Sequence, residues 1–261
     1  MILDLNNIRL SFTNARKERF QLLSGVTFGV PDGEITALIG GNGTGKTTLF
    51  NVISGFQKGF DGQVFFKGKD ISRLAPYEIS RLGIGRLFQG KQLMGSLTIL
   101  ENMLMASSDR TGEIPFSYLV FPKTLKSKEA EKKEYAIHIL ETLFGNGCKY
   151  VDMINHPAGE LSYGEQRMIA IARLLMGQNS LLLLDEPTAG VNPVYNETIA
   201  QIISRMVKVE GLTVLMIEHN MHFVRGVASK CAFLDEGRIA VFGDTDAVID
   251  NPTVRSSYLG L

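Results

Sequence analysis

An α/β fold is predicted, with a buried sheet arranged around a phosphate-binding turn and an antiparallel β unit ahead of it. Three observations carry this. The apolar run Ile35 to Ile39 passes into Gly40-Gly41-Asn42-Gly43-Thr44-Gly45-Lys46-Thr47-Thr48, which fits G-x-x-x-x-G-K-[ST], and Lys46 to Ile53 can continue as a helix. The apolar runs Leu181 to Leu184 and Leu212 to Ile217, ending in Asp185-Glu186 and Glu218-His219, read as further buried strands. Leu3 to Phe12 and Phe20 to Val30 carry strand-like apolar patterns joined by the polar stretch Thr13 to Arg19.

The chemistry of the turn follows from its backbone. Glycines at 40, 41, 43 and 45 let successive N–H groups turn inward around an anion, and the helix starting at Lys46 presents its positive end to the same point. Lys46 can then reach the β- and γ-phosphates of a nucleotide, and the Thr47 hydroxyl can ligate Mg²⁺.

Composition limits the alternatives. A chain of 261 residues holds one large core, or a core with a lobe inserted in it. Lys plus Arg and Asp plus Glu both total 27, so no net charge draws it to nucleic acid or anionic lipid, and any membrane role goes through protein contacts. Met1 to Leu10 shows no charged stretch leading into an apolar one, and no apolar run approaches the ~18 residues of a membrane span. The expectation is a soluble, cytosolic chain. Cys148 and Cys231 lack C-x-x-C spacing and are expected to be reduced packing residues.

In chain order, Phe12 closes the first strand where an adenine ring could stack, although an aromatic there serves equally as core. Gln63 to Ile71 reads as one strand, Pro76 to Leu82 as a short helix with proline in its first turn and Gly83 at its end, and Ile84 to Phe88 as a strand ending at Gln89. Thr98 and Glu101 form a capping box for a helix to about Ala106. Ser107 to Ser127 is too irregular for a regular element and too apolar for a free linker, which suggests a loop packed on its own lobe, with a partner contact as the alternative. Lys126 to Phe144 is a charged amphipathic helix.

Ser162 and Glu165 form a second capping box, with Met168 to Met176 as the helix body. Capping does not explain Gly164, which weakens a first turn unless something must approach its backbone; a helix start with a serine and a glycine is a second anion site. Asp185 and Glu186 end an apolar strand, where unpaired carboxylates are costly. Beside a phosphate loop, Asp185 can hold Mg²⁺ and Glu186 can polarise an attacking water. Asn192-Pro193 starts a helix to about Val209, Cys231 to Leu234 and Arg238 to Phe242 are short strands, and Asn251-Pro252 starts a last short helix. His219 and His222 have the spacing of a metal pair but no third ligand nearby.

Gly40 to Thr47, Gln89, Leu161 to Glu165, Asp185-Glu186, Ala189 to Asn192 and His219 occur in the order and spacing of the ATP-binding cassette (ABC) ATPases, which the chain resembles over essentially its whole length. It looks most like the ATP-binding subunits of branched-chain amino acid importers, in Arg86-Leu-Phe-Gln89, Leu97-Thr-Ile-Leu-Glu-Asn102, Ser162-Tyr-Gly-Glu-Gln-Arg167, Ala189-Gly-Val-Asn-Pro193, Ile217-Glu-His219 and the tail from Asn251-Pro to Tyr258-Leu-Gly. Urea and amide importers share much of this pattern.

The resemblance implies a P-loop NTPase with a RecA-like core and β unit (1–90 and 161–261) and an inserted helical subdomain at about 91–160. It implies ATP and Mg²⁺ as ligands. It further implies a head-to-tail dimer with a second ABC ATPase subunit, each ATP lying between one chain's phosphate loop and the other's signature, so that Ser162 and Gly164 act in trans. Glu165 has two readings there, as a helix cap or as a charge near the γ-phosphate. By the same likeness Phe12 stacks on adenine, Gln89 links Mg²⁺ to the lobe, His219 senses the γ-phosphate, and Lys46, Gln89, Glu186 and His219 are the catalytic set, with Thr47, Gln89 and Asp185 around the metal. Integral membrane permease subunits would dock near Gln89, Leu93 and Met94, placing the chain on the cytoplasmic face of the cell membrane and linking it indirectly to a substrate-binding protein. Tyr163 and Glu165 stand where Gly and Gln are common in the family, and Asn192 where Asp is common. A non-transport ATPase clamp of the same fold is the alternative; a GTPase is disfavoured because no N-K-x-D guanine signal is present.

Overall fold

The computed structural model describes residues 1–13, 19–90, 93–107 and 122–259, excluding the side chains of residues 19, 122–126 and 258–259. The connection after Thr13 and most of the Ser107 to Ser127 stretch thus lie outside the described residues. The strands β1 (Leu3–Thr13), β2 (Arg19–Val30) and β3 (Ile35–Ile39) lead into the helix α1 (Lys46–Ile53), followed by β4 (Asp61–Phe66), β5 (Lys69–Asp70), α2 (Pro76–Arg81) and β6 (Ile84–Leu87). Four helices come next: α3 (Ile99–Leu104), α4 (Pro122–Phe144), α5 (Lys149–Asp152) and α6 (Tyr163–Ala172). Then β7 (Leu181–Asp185), α7 (Asn196–Lys208), β8 (Thr213–Ile217), α8 (Met221–Val227), β9 (Lys230–Asp235), β10 (Arg238–Asp244), α9 (Thr245–Ile249) and α10 (Pro252–Leu259) complete the chain.

Two sheets result. The antiparallel unit has the order β2-β1-β4-β5, and the larger sheet the order β10-β9-β3-β8-β7-β6, parallel from β9 to β6 with β10 antiparallel at its edge. The period-2 alternation of strands explains why the central runs are apolar throughout. Leu181, Leu183, Leu215, Ile217 and Leu38 face one cluster, shared with the antiparallel unit and with Leu49, Phe50 and Ile53 of α1. Leu182, Leu184, Val214, Met216, Ala37 and Ile39 face the opposite cluster, filled by the helices. Each central strand is therefore covered on both sides.

The segment before α6 leaves and rejoins the core through a backbone neck. Ala158 N–H donates to the Leu97 carbonyl at 2.8 Å, Gly159 N–H to Gly95 at 3.0 Å, and Ile99 N–H to His156 at 3.0 Å. Ile99, Met103, Ile139, Leu140 and Tyr150 then pack in the same cluster as α6.

Several expectations are corrected. Gln63 to Ile71 is a hairpin, because Lys67 (φ 49°) and Gly68 (φ 75°) take the paired positive φ values of a tight two-residue turn. The helix capped by Ser162 starts at Tyr163 but ends at Ala172, short of the expected Met176, in a 3-10 turn over Arg173–Gly177. The Asn192-Pro193 start is a 3-10 turn, Pro193–Tyr195, before α7 begins at Asn196. The helix expected from Lys126 begins at Pro122, and α9 was not expected. Among the described residues no helix is long and apolar enough to cross a membrane.

Candidate active site

Parallel strands gather their carboxyl ends on one edge of the sheet, and chemistry-bearing residues follow β3, β6, β7 and β8 there. Gly45 caps α1 with φ 101°, a conformation in which a Cβ would also stand 2.8 Å from Leu23 Cδ2. The first turn of α1 holds no acidic residue, leaving its N–H groups to an external anion. Lys46 is buried and folds back to donate to the carbonyls of Gly40 (2.8 Å) and Gly41 (2.7 Å). Burial lowers its pKa, opposed by the negative field of Glu186 and Asp185. Thr44 Oγ1 donates to the Gly41 carbonyl at 3.0 Å, and Thr47 is exposed on the first turn.

Asp185 ends β7 almost wholly buried. Its Oδ2 lies 3.5 Å from Arg86 Nη2, while its buried Oδ1 has no partner among the described residues. Burial raises the carboxyl above its usual range, with Arg86 pulling the other way and the neighbouring Glu186 adding to the rise. Arg86 itself, lowered by burial, donates to Ser54 Oγ at 2.6 Å and lies 4.5 Å over the Phe88 ring. An orphaned, desolvated carboxylate oxygen fits a hard cation. Mg²⁺ keeps water and phosphate oxygens as most of its ligands, so it needs no cluster of three protein ligands, and the described residues contain none.

Glu186 leaves the strand in a left-handed conformation (φ 48°), a strain on the order of 1–3 kcal/mol that turns its side chain sideways. The carboxylate is thereby held from both sides: Gln89 Nε2 donates to Oε2 at 2.9 Å, and His219 Nε2 stands 3.3 Å from Oε1. The structure thus brings Lys46, Gln89, Asp185, Glu186 and His219 together and directs Gln89 to Glu186.

Two residues of this site had no role in the sequence reading. Glu218, 3% exposed, accepts from Thr188 N (3.0 Å), Thr188 Oγ1 (2.6 Å), His219 N (3.0 Å) and Asn220 N (3.3 Å), binding the loop after Glu186 to the backbone that carries His219. Arg167, 3% exposed, reaches from α6 to the carbonyls of Asp185 (2.9 Å), Glu186 (2.8 Å), Pro187 (3.1 Å), Phe88 (3.1 Å) and Gly90 (3.4 Å). Burial lowers its pKa, but the normal guanidinium value is so high that the charge persists. Neither had a distinctive sequence signal: Arg167 follows Glu165-Gln166 at the head of an apolar run, and Glu218 stands beside His219 at the end of one.

At the start of α6 the capping box closes both ways: Glu165 N–H donates to Ser162 Oγ at 3.3 Å and Ser162 N–H to Glu165 Oε2 at 2.8 Å. Glu165 also pairs with Lys149. Burial alone would raise its carboxyl, but the hydrogen bonds from Lys149 and Ser162 prevail and hold it below the usual range. Gly164 is explained inside the chain, since a Cβ there would stand 2.5 Å from Tyr195 Cδ2. Phe12 pairs across the strands with Phe20, ring centroids 5.9 Å apart, and Phe20 is half exposed. Met94 is exposed but Leu93 is buried, so Leu93 is withdrawn from the expected docking surface.

The ABC transporter family profile matches residues 23–189. The probable branched-chain amino acid transport ATP-binding protein LivG of Archaeoglobus fulgidus is 39% identical over 238 residues, covering 91% of this chain and 89% of that protein. The high-affinity branched-chain amino acid transport ATP-binding protein BraF of Pseudomonas aeruginosa is 33% identical over 238 residues, 91% of each. An ATP-binding cassette of an ABC transporter, solved in its ADP conformation, superposes with a TM-score of 0.79 at 33% identity, covering 100% of this chain and 99% of that one.

Proposed function

Because this chain belongs to the ABC transporter family, we propose that it is the ATP-hydrolysing subunit of an importer for branched-chain amino acids. The observation that carries the mechanism is the Glu186 carboxylate held between Gln89 and His219 on the same sheet edge as Lys46. In this reading Gly40 to Thr48 wraps the phosphates, Lys46 turns its remaining N–H to a terminal phosphate oxygen, and Phe12 stacks on adenine. Glu186 accepts a proton from the water that attacks the γ-phosphorus while the bond to the bridging oxygen breaks, and His219 donates to the γ-phosphate. Thr47, Asp185 and Gln89 are the residues to hold Mg²⁺, which when bound neutralises charge on the phosphates.

Residues 1–90 and 161–261 form the catalytic core, and about 91–160 the helical lobe. Two such subunits close head to tail, Ser162, Gly164 and the capped helix start at Glu165 meeting the nucleotide of the other subunit. Permease subunits bind beside the lobe near Gln89 and Met94 and keep the chain on the cytoplasmic face of the membrane. The binding and transport named in the two relatives support the amino-acid assignment.

The test is uptake into vesicles carrying the cognate permease and binding protein, with ATP on the side of this chain. Leucine uptake should require the chain and vanish in Glu186→Gln. Uptake of urea or small amides in place of leucine would overturn the substrate, and co-purification with soluble proteins alone would overturn transport.

A further inference from the structure

The opening turn of α6 and the loop after β7 interleave by a reciprocal pair of contacts. The Tyr195 ring covers Gly164, and the Tyr163 ring lies against Gly190, where a Cβ would stand 3.4 Å from Tyr163 Cε1. A hydroxyl contact joins the same surfaces: the Tyr195 hydroxyl is 3.4 Å from Ser162 Oγ.

A serine hydroxyl has one proton to donate and two lone pairs to receive. One lone pair of Ser162 already receives the Glu165 N–H at 3.3 Å. If the tyrosine donates to the second, the serine proton has no acceptor left in this pair and must point outward. A phosphate oxygen only accepts, so its arrival favours that polarity, and the chain Tyr195 to Ser162 to phosphate strengthens as each donor polarises the next.

Resting on the reading of Ser162 as a phosphate ligand in trans, we propose that Tyr195 is a positioning residue: its hydroxyl donates to Ser162 Oγ and reserves the serine proton for the terminal phosphate of the other subunit's ATP. The loop carrying Tyr195 begins at Glu186, so the same contact joins the hydrolytic carboxylate of one site to the phosphate grip of the other.

Tyr195→Phe keeps the ring over Gly164 and removes only the hydroxyl. In the full chain, its unfolding midpoint and the affinity of the monomer for Mg-ADP should match the parent. In the Glu186→Gln background, Mg-ATP-driven dimerisation should weaken about threefold to tenfold per site, the range of one hydrogen bond, counted twice in a symmetric dimer. With Glu186 intact, kcat should fall while KM for ATP stays near the parent value. Ser162→Ala should weaken the dimer as well, and adding Tyr195→Phe to it should cause no further loss. Dimerisation equal to the parent, a fully additive loss in the double variant, or a lowered unfolding midpoint would each overturn the proposal. A parent that fails to dimerise with Mg-ATP overturns the dimer reading beneath it, and the tyrosine's role with it.

Discussion

Gly164→Ala tests whether the signature glycine is set by Tyr195. An added methyl would stand 2.5 Å from Tyr195 Cδ2 and 2.8 Å from Cε2. Ordinary carbon contacts lie near 3.5–4.0 Å, so the ring must retreat by about 1 Å. The ring has little freedom, because Tyr195 ends a 3-10 turn capped by Asn192, whose side chain accepts from Val194 N–H at 3.1 Å. Overpacking of this kind costs about 1–3 kcal/mol, whereas alanine for glycine in a helix returns at most about 1 kcal/mol. With the full return, the expected net loss is therefore up to about 2 kcal/mol by urea denaturation of the monomer. Tyr195→Ala removes the obstruction, so in that background Gly164→Ala should change sign and stabilise by up to about 1 kcal/mol. A substitution equally destabilising in both backgrounds would show that another contact, and not the tyrosine, demands glycine.

Glu186→Gln keeps the shape and one acceptor oxygen for Gln89 but removes the base, so ATP should bind and remain unhydrolysed in single-turnover assays; near-parent turnover would place the base elsewhere. His219→Ala should lower kcat by ~10² or more, the loss typical of one transition-state donor, with ATP affinity by titration close to the parent. Glu165→Gln can keep the bond from Ser162 N–H and loses only an ion pair with the mostly exposed Lys149, so unfolding should shift by less than about 1 kcal/mol and the Mg-ATP dimer should be unchanged. A several-fold tighter dimer would assign Glu165 to the γ-phosphate instead. Arg86→Met strands the buried Asp185 charge and should cost about 3–5 kcal/mol at pH 7. Asp185 has a folded pKa above its unfolded one, so its ionisation destabilises the fold and that penalty fades as pH falls through the folded value; denaturation at pH 7 and pH 5 should show the variant closing on the parent under acid.

What the sequence made legible was local. The phosphate turn, both capping boxes and the strand ends are recognised from residues within a few positions of one another, and the central parallel strands from nearly continuous apolar runs. Lys67 concealed the hairpin because lysine is not a usual first residue of a tight two-residue turn. Arg167, Glu218 and Tyr195 were illegible for another reason. Arg167 binds carbonyls as far as 79 positions away, Glu218 a loop 30 positions back, and Tyr195 a glycine and a serine of another helix. Backbone acceptors and bare glycines leave no complementary residue in the sequence to pair with them.

The grip of Arg167 has a consequence for how this enzyme can be altered. Its acceptors are main-chain oxygens, which every amino acid carries, so substituting the side chains at 88, 186 or 187 leaves the linkage standing. The guanidinium keeps its charge across the physiological range, so acidity cannot release it either. In the proposed dimer, the connection between the helix that would face the second nucleotide and the loops that would face the first is thus a fixed strut, while the residues mounted on it can be exchanged one at a time. Redesign of the chemistry can proceed around position 167, and in the proposed dimer uncoupling of the two nucleotide sites begins by changing it.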